Sequence, residues 1–383
     1  MVKLRYGMVG GGEGAFIGAV HRTAAAIAGN WELTAGALSS APEKSRRSGA
    51  AIGLDPARAY GSFAEMIAAE AALPEDRRIQ AVSIVTPNHM HAPPAIAAFQ
   101  AGFHVICDKP LADTLENAAA IGDAAEKAGR LLGVTHTYTG YPLVKQMREL
   151  VAGGRFGAVR RVAVKYTQDW LSRASDIDGN KQAEWRTDPA RSGEGGAFGD
   201  IGTHAFNLVE YVTGRRVTRL CAELAMLPGR SLDDDGAALF HLHGGGRGTL
   251  TASQVCVGDA NDLAISIYCD EASLHWRQEE PNTLRVGYRD RPAEIWGAGG
   301  NRPYLAAPIQ AIQRTPGGHP EGYLEAFANI YRAFGEAILN GGPADPADPG
   351  YATIEDALSA MRFVRAAKQS SAAGAVWTDL DSV

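Results

Sequence analysis

The stretch that most limits the fold opens the chain. Leu4 to Val9 is a short apolar run that ends in Gly10-Gly11-Gly12-Glu13-Gly14-Ala15-Phe16-Ile17-Gly18, and the residues after it, AVHRTAAAIAG, carry helical apolar spacing. Strand, glycine turn and helix in direct succession form a dinucleotide-binding unit. The glycines permit a tight turn, and backbone N–H groups at the helix N-terminus face a pyrophosphate. Gly10-x-Gly12-x-x-Ala15 satisfies the G-x-G-x-x-G/A form, while the helix begins late, so an enlarged loop is expected. The cofactor-facing residues on this reading are Gly10, Gly12, Ala15, Phe16 and Ile17. The bland competitor is a glycine-rich turn with no ligand, and the segments that follow speak against it.

Trp31 to Leu38 reads as a second strand, ending at Ser39 and Ser40 where a carboxylate would ordinarily accept the adenosine ribose hydroxyls. Two hydroxyls followed by Lys44, Arg46 and Arg47 can hold a 2′-phosphate. Equally, the serines can serve the plain ribose while the basic residues form the exposed face of the next helix, so NAD and NADP stay open. Gln80 to Val85 is a third strand, running into Thr86-Pro87-Asn88-His89-Met90-His91. A helix around AAFQAG, a strand from Phe103 to Cys107 and another from Arg130 to Thr137 follow, the last leading to His136 and Tyr138. Alternating strands and helices imply a doubly wound parallel sheet over residues 1–140, with ligands outside the carboxyl ends of its strands. Asp108-Lys109-Pro110 stands at one such end. A lysine there beside a cationic nicotinamide would lose proton affinity; from position alone it can also be a surface residue before a helix.

From about Tyr141 the rhythm changes to strands without intervening helices: Val159 to Tyr166, Ala237 to His243, Gly248 to Val255, Leu263 to Cys269, Ser273 to Trp276 and Thr283 to Val286. Such a run predicts an α+β domain over 141–383, built on a large, mainly antiparallel open sheet. Asp169 to Gly196 is a long polar connection containing Trp170, Arg173, Trp185 and Arg186, the length expected of a substrate lid. In Gly195 to His204, GGAFGDIGTH, Asp200 and His204 stand four apart at the start of a helical pattern, on one face. A carboxylate that fixes an imidazole tautomer can orient a hydroxyl and take its proton; the same spacing also occurs in solvated helix faces and caps. Asp233-Asp234-Asp235 is read as a solvated loop. Glu321 to Leu339 and Thr353 to Lys368 are amphipathic helices.

Length and composition bound the rest. At 383 residues two domains are expected, and a net charge of −6 argues against a nucleic-acid footprint. The four cysteines, at 107, 221, 256 and 269, lack metal-ligand spacing, so no metal is expected and a reducing, cytoplasmic setting is. Neither a signal-peptide pattern nor eighteen consecutive apolar residues occurs, so neither export nor a membrane span is expected.

With these residues in view the chain resembles the glucose-fructose oxidoreductase, inositol dehydrogenase and rhizopine-catabolism (Gfo/Idh/MocA) family over nearly its full length. The resemblance rests on the glycine loop before His21, on Thr86-Pro-Asn-His-Met-His91, on Asp108-Lys109-Pro110 where the family usually has Glu-Lys-Pro, and on Gly195-Gly196 followed by Asp200 and His204. It implies an NAD- or NADP-binding Rossmann domain, a second domain whose open sheet serves as an interface in a homodimer or homotetramer, and a carbohydrate or polyol substrate. Lys109, Asp200 and His204 would be catalytic. Ser39, Ser40, Lys44, Thr86, Asn88, His91, Asp108, Lys109, Trp185 and Arg186 would join the glycine loop around the cofactor. His136, Tyr138, Arg173 and Tyr323 would join the catalytic three around the substrate. Some relatives are similar to NAD-dependent glycosidases, so transient oxidation followed by elimination is the second reading, with Arg173, Arg186 or Arg277 on an anionic sugar. A sensor without turnover is disfavoured because all three catalytic candidates are present.

Overall fold

The computed structural model describes residues 3–173 and 179–383, so part of the connection expected over 169–196 lies outside the described residues. The chain forms two compact units, 1–137 with 327–358, and 138–326 with 359–383.

The first unit carries a five-stranded parallel sheet, in the order β2-β1-β3-β4-β5, from β1 (Leu4–Gly10), β2 (Trp31–Ala37), β3 (Ala81–Val85), β4 (His104–Cys107) and β5 (Leu132–Val134). Its helices are α1 (Phe16–Ala28), α2 (Pro42–Ala51), α3 (Phe63–Ala71), α4 (Ala92–Gln100) and α5 (Leu115–Ala128). All five residues of β3 are buried, as a parallel strand covered on both faces requires. β5 is shorter than the expected 130–137, so His136 lies just beyond the strand.

Helix α11 (Tyr323–Asn340) contributes its residues from Phe327 onward to the first unit, although they lie far beyond residue 140. Trp31 donates its indole N–H to the Tyr331 carbonyl at 2.8 Å and stacks on Phe334, and Phe327 packs on the His21 ring at 4.6 Å. An amphipathic helix cannot be assigned to a domain from its own periodicity, because the pattern says that a face is buried and not against what.

The second unit is built on a nine-stranded sheet of order β13-β12-β11-β10-β6-β9-β8-β7-β14. The strands are β6 (Val159–Thr167), β7 (Val217–Ala225), β8 (Asp235–Leu242), β9 (Arg247–Ser253), β10 (Asp262–Cys269), β11 (Ala272–Arg277), β12 (Thr283–Tyr288), β13 (Glu294–Gly297) and β14 (Thr378–Asp379). Every described pairing is antiparallel except β6 with β9. One face buries Val162, Val164, Phe240, Leu250, Ile265 and Leu274 in the core shared with α6 (Pro142–Ala152) and α9 (Thr203–Thr213). The short α10 (Ala307–Ala311) follows β13, and Phe363 of α12 (Ile354–Ala372) stacks on Phe206 at 4.5 Å. The other face is open: register aligns Leu239, Thr249, Ala163, Ser266, His275, Arg285 and Ile295 in one row across it. No helix of the described residues is long and apolar enough to cross a membrane.

Candidate active site

In the first unit, the glycine loop reaches α1 six residues after Gly10, as the late helix start requires. A Cβ at Gly18 would fall 2.3 Å from the Gly11 Cα, and one at Gly12 would fall 2.6 Å from the Leu38 carbonyl oxygen. The close loop–helix approach that the fingerprint's third position provides is therefore made by Gly18, not by Ala15. A loop with no side chains at its crowded points, placed where a strand meets a helix N-terminus, fits a pyrophosphate. Phe16, exposed at 68%, and half-buried Ile17 follow.

Ser39 accepts a hydrogen bond from the Ala41 amide and Ser40 is exposed. Arg46 pairs with Glu65 and Arg47 with Glu13 of the glycine loop, which leaves Lys44 as the basic residue at this edge not engaged by those carboxylates. Thr86 donates to the Met90 carbonyl, and Asn88 is buried. His91 does not face outward as a cofactor ligand would. It is fully enclosed, with Nε2 2.8 Å from the Thr86 carbonyl and Nδ1 3.0 Å from that of Pro110, so it ties the end of β3 to the segment after β4.

Asp108 accepts the Lys109 amide at 2.9 Å and the Thr135 hydroxyl at 2.8 Å, and its Oδ1 lies 4.0 Å from His21 Nε2. Burial would raise its pKa, but His21, Lys109 and Thr135 outweigh it and hold the carboxyl below the usual range. His21 is fixed in turn, its Nδ1 2.8 Å from the Tyr331 hydroxyl, which lies 2.9 Å from Ser83. The main chain presenting Lys109 thus rests on a buried polar chain. His136 is buried, and burial, then the charge of Lys109, lowers its pKa to about 4.

In the second unit, Asp200 lies in a π-helical turn, Phe198–Gly202, that leads into α9, rather than in the regular α-helix the spacing predicts. Such turns are rare and cluster at functional sites. The Asp200 Oδ2 accepts Arg186 Nε at 3.1 Å and Gln254 Nε2 at 2.9 Å. Arg186 ends α7 (Lys181–Arg186), which is followed by α8 (Pro189–Ser192), and its guanidinium lies 4.3 Å from the Trp185 ring and 5.9 Å from that of Trp170. His204, 8% exposed, meets the Tyr138 ring edge-on at 4.7 Å. The Tyr138 hydroxyl bonds to that of Tyr166, which donates to Asn261 at 2.6 Å; Gln168 donates to the same Asn261 oxygen and accepts from the Trp170 indole. Burial pushes the Tyr138 phenol up to about 12. Tyr323 flanks Tyr138 at 6.4 Å. Arg173 is exposed and its carbonyl accepts from Arg230.

Two expectations change. Asp233-Asp234-Asp235 is not a solvated loop: Asp233 and Asp234 are buried, and the Asp233 carboxylate accepts the amides of Gly196 and Phe198, both at 2.7 Å. Backbone donors, which leave no mark in a sequence, are what allow two adjacent aspartates inside. Arg277 does not stand ready for an anionic sugar, since it pairs with Asp262 at 2.8 Å and Glu279 at 3.2 Å. Sequence reasoning missed Tyr166, Asn261 and Gln254; the last directly follows β9, whose alternating RGTLTAS pattern already contains polar residues and so gives Gln254 no contrast.

Residues 4–136 match the model of the oxidoreductase family with NAD-binding Rossmann fold, and residues 144–275 match that of the GFO/IDH/MocA C-terminal domain. An uncharacterised oxidoreductase of Bacillus subtilis, YfiI, is 32% identical, covering 98% of this chain and 96% of its own. A levoglucosan dehydrogenase of Pseudarthrobacter phenanthrenivorans is 28% identical over all of both chains. The crystal structure of an inositol dehydrogenase homolog from Azotobacter vinelandii, complexed with NADH and myo-inositol, aligns with a TM-score of 0.89 at 32% identity, covering 99% of this chain and 98% of that one. With the glycine cradle, the Asp108–Lys109 strand end and the Asp200–His204 turn in place on such a full-length match, the chain belongs to the Gfo/Idh/MocA family of NAD-binding oxidoreductases.

Proposed function

We propose that the protein is an NAD(P)-dependent dehydrogenase that moves a hydride between a secondary hydroxyl of a sugar, sugar derivative or cyclic polyol and the nicotinamide. The observation that carries this reading is Asp200, held by Arg186 and Gln254 in the turn that leads to His204, on a chain whose relatives include a levoglucosan dehydrogenase and an inositol dehydrogenase homolog bound to myo-inositol. Gly10, Gly12, Ala15, Phe16, Ile17, Ser39, Ser40, Lys44, Thr86, Asn88 and Asp108 hold the cofactor on this reading, with Trp185 and Arg186 contributing. When bound, the nicotinamide supplies the hydride acceptor. His204 removes the hydroxyl proton, and the Tyr138 ring at its edge limits how the imidazole tilts. Lys109 donates a hydrogen bond to the reacting oxygen and stabilises the negative charge that develops there. Asp200 orients the hydroxyl, and His136, Arg173 and Tyr323 select the substrate.

A panel of aldoses, levoglucosan and myo-inositol, read by formation of NADH or NADPH, tests the activity. His204→Ala and Lys109→Ala should each lose ~10²–10⁴ in turnover while still binding NAD; near-full turnover in either variant refutes its role. Oxidation–elimination is not favoured, because the similar proteins of named activity include a levoglucosan dehydrogenase and a myo-inositol dehydrogenase. Aryl glycosides releasing their aryl group without net NADH would reverse that ranking.

The open sheet face supports a homodimer or homotetramer, since Leu239 and Ile295 stand 49% and 65% exposed in its central row. Four free cysteines support a cytoplasmic setting.

A further inference from the structure

Asp233 lies on the approach to β8, and its three acceptor contacts all fall on consecutive amides. Its carboxylate takes the N–H groups of Gly196 and Phe198, and its own carbonyl takes that of Ala197 at 2.7 Å. The fit leaves no room for a side chain, since a Cβ at Gly196 would stand 2.0 Å from the Asp233 carbonyl oxygen. Those amides open the turn that carries Asp200, whose own N–H returns to the Gly196 carbonyl at 2.8 Å. A helix ordinarily takes its cap from a side chain at its own N-terminus. Here a residue 35 positions downstream supplies the acceptors, so tertiary structure imposes the turn.

The next residue acts on the other end of Asp200. The Asp234 carbonyl accepts the Gln254 amide at 2.8 Å, and the Gln254 side chain, 2% exposed, donates to the Asp200 carboxylate. The Asp234 carboxylate is itself engaged, accepting the Leu227 amide at 2.8 Å with Arg230 Nε at 3.8 Å. One dipeptide therefore fixes both the backbone that bears Asp200 and Gln254, which shares the Asp200 Oδ2 with the charged Arg186.

We propose that Asp233 and Gln254 are positioning residues, which set the direction and ionisation of the Asp200 carboxylate through the turn and through the Nε2–Oδ2 hydrogen bond. The importance of that carboxylate rests on the reading of Asp200 and His204 as catalytic, and the test separates the two.

Full-length wild type, Asp200→Asn, Asp233→Asn, Gln254→Leu and Gln254→Glu are compared. The Asp200 carboxyl is followed by carbon-13 NMR as pH is varied, with its resonance assigned by its loss in Asp200→Asn. Gln254→Leu removes a donor that favours the ionised form, so the titration midpoint should move up; Gln254→Glu should move it further, because a like charge replaces the donor. Asp233→Asn, whose amide nitrogen cannot accept a backbone N–H, should also move it. Turnover of the best-accepted polyol, starting with myo-inositol, should fall about tenfold or more in Gln254→Leu and Asp233→Asn, with NAD affinity within about twofold of wild type. An unmoved midpoint in both Gln254 variants overturns the proposal, as does a lowered unfolding temperature that accounts for the whole turnover loss. If Asp200→Asn keeps its turnover while the midpoints still move, positioning stands and the catalytic role of Asp200 fails.

Discussion

Replacing Gly18 with alanine tests the contact on which the nucleotide reading leans most. The added methyl would stand 2.3, 2.5 and 2.7 Å from the Cα, O and C atoms of Gly11. All three are backbone, so no side chain can swing aside and relief requires the loop and α1 to separate. Overpacking of this kind costs about 1–3 kcal/mol, and an all-backbone clash keeps it off the lower end. The Gly11 carbonyl is also held by Arg22 at 2.8 Å, so the loop cannot yield without losing that bond. At about 2 kcal/mol, the loss is roughly 30-fold in NAD affinity if the whole strain falls on the bound form, and about 4–8 °C in the unfolding midpoint if it falls on the folded unit. Gly29→Ala is the control. Gly29 has φ +84° and nothing within 4 Å of a Cβ, so alanine there pays only for its backbone conformation, about 1 kcal/mol, far from the loop. Calorimetric titration with NAD and scanning calorimetry of both variants read the difference. Gly18→Ala binding NAD like wild type, or Gly29→Ala weakening it equally, would refute the reasoning.

Three further outcomes are expected. Ser39→Asp should shift the cofactor ratio several-fold toward NAD, from a wild-type ratio that is modest because a single lysine at an exposed edge is worth about 1 kcal/mol; a thousandfold wild-type preference in either direction, or no shift, would locate the ribose reader elsewhere. Burial, with Arg130 near one and Lys109 near the other, lowers the pKa of His104 and His136 to about 4 from 6.5. Both are neutral in the folded chain, so the unfolded chain binds protons first and stability should fall as pH drops from about 6.5 toward 4; His136→Gln should flatten that decline in unfolding scans, and an equally steep decline would count against it. Leu239→Arg, on the open sheet face, should lower the mass seen by light scattering while leaving NAD affinity intact, and a wild-type mass that is already monomeric would sink the interface.

The strands of the first unit were legible because parallel strands buried on both faces write continuous apolar runs such as AVSIV, punctuated by glycine and proline. Lys109 was legible by place, at the end of such a strand. The same logic failed at β7, VTRLCAELA, where Thr218, Arg219 and Glu223 break the apolar pattern and the strand passed unread. It failed at Ala15, since a fingerprint records spacing and the close approach is made three residues later, by Gly18. It failed at Asp200, because a π turn and an α turn share nearly the same residue pattern, and the difference is set by Asp233 from afar. His91 and Asp233 mark the same limit from two sides: one looked like a ligand contact and the other like solvent, and in both cases the deciding partners are backbone atoms.

The first unit starts the chain, yet it cannot be finished until residues 327–358 have been made. Its sheet needs Tyr331, whose hydroxyl meets His21 and Ser83 and whose carbonyl meets Trp31, yet residues 138–326 are synthesised in between. At about 5–20 residues per second that is a wait of roughly 10–40 s, during which His21, Ser83 and Trp31 lack the partners that make their burial tolerable. A nascent chain stalled before residue 327 should therefore expose an unfinished nucleotide fold to proteases and chaperones, and complete it only as α11 emerges from the ribosome.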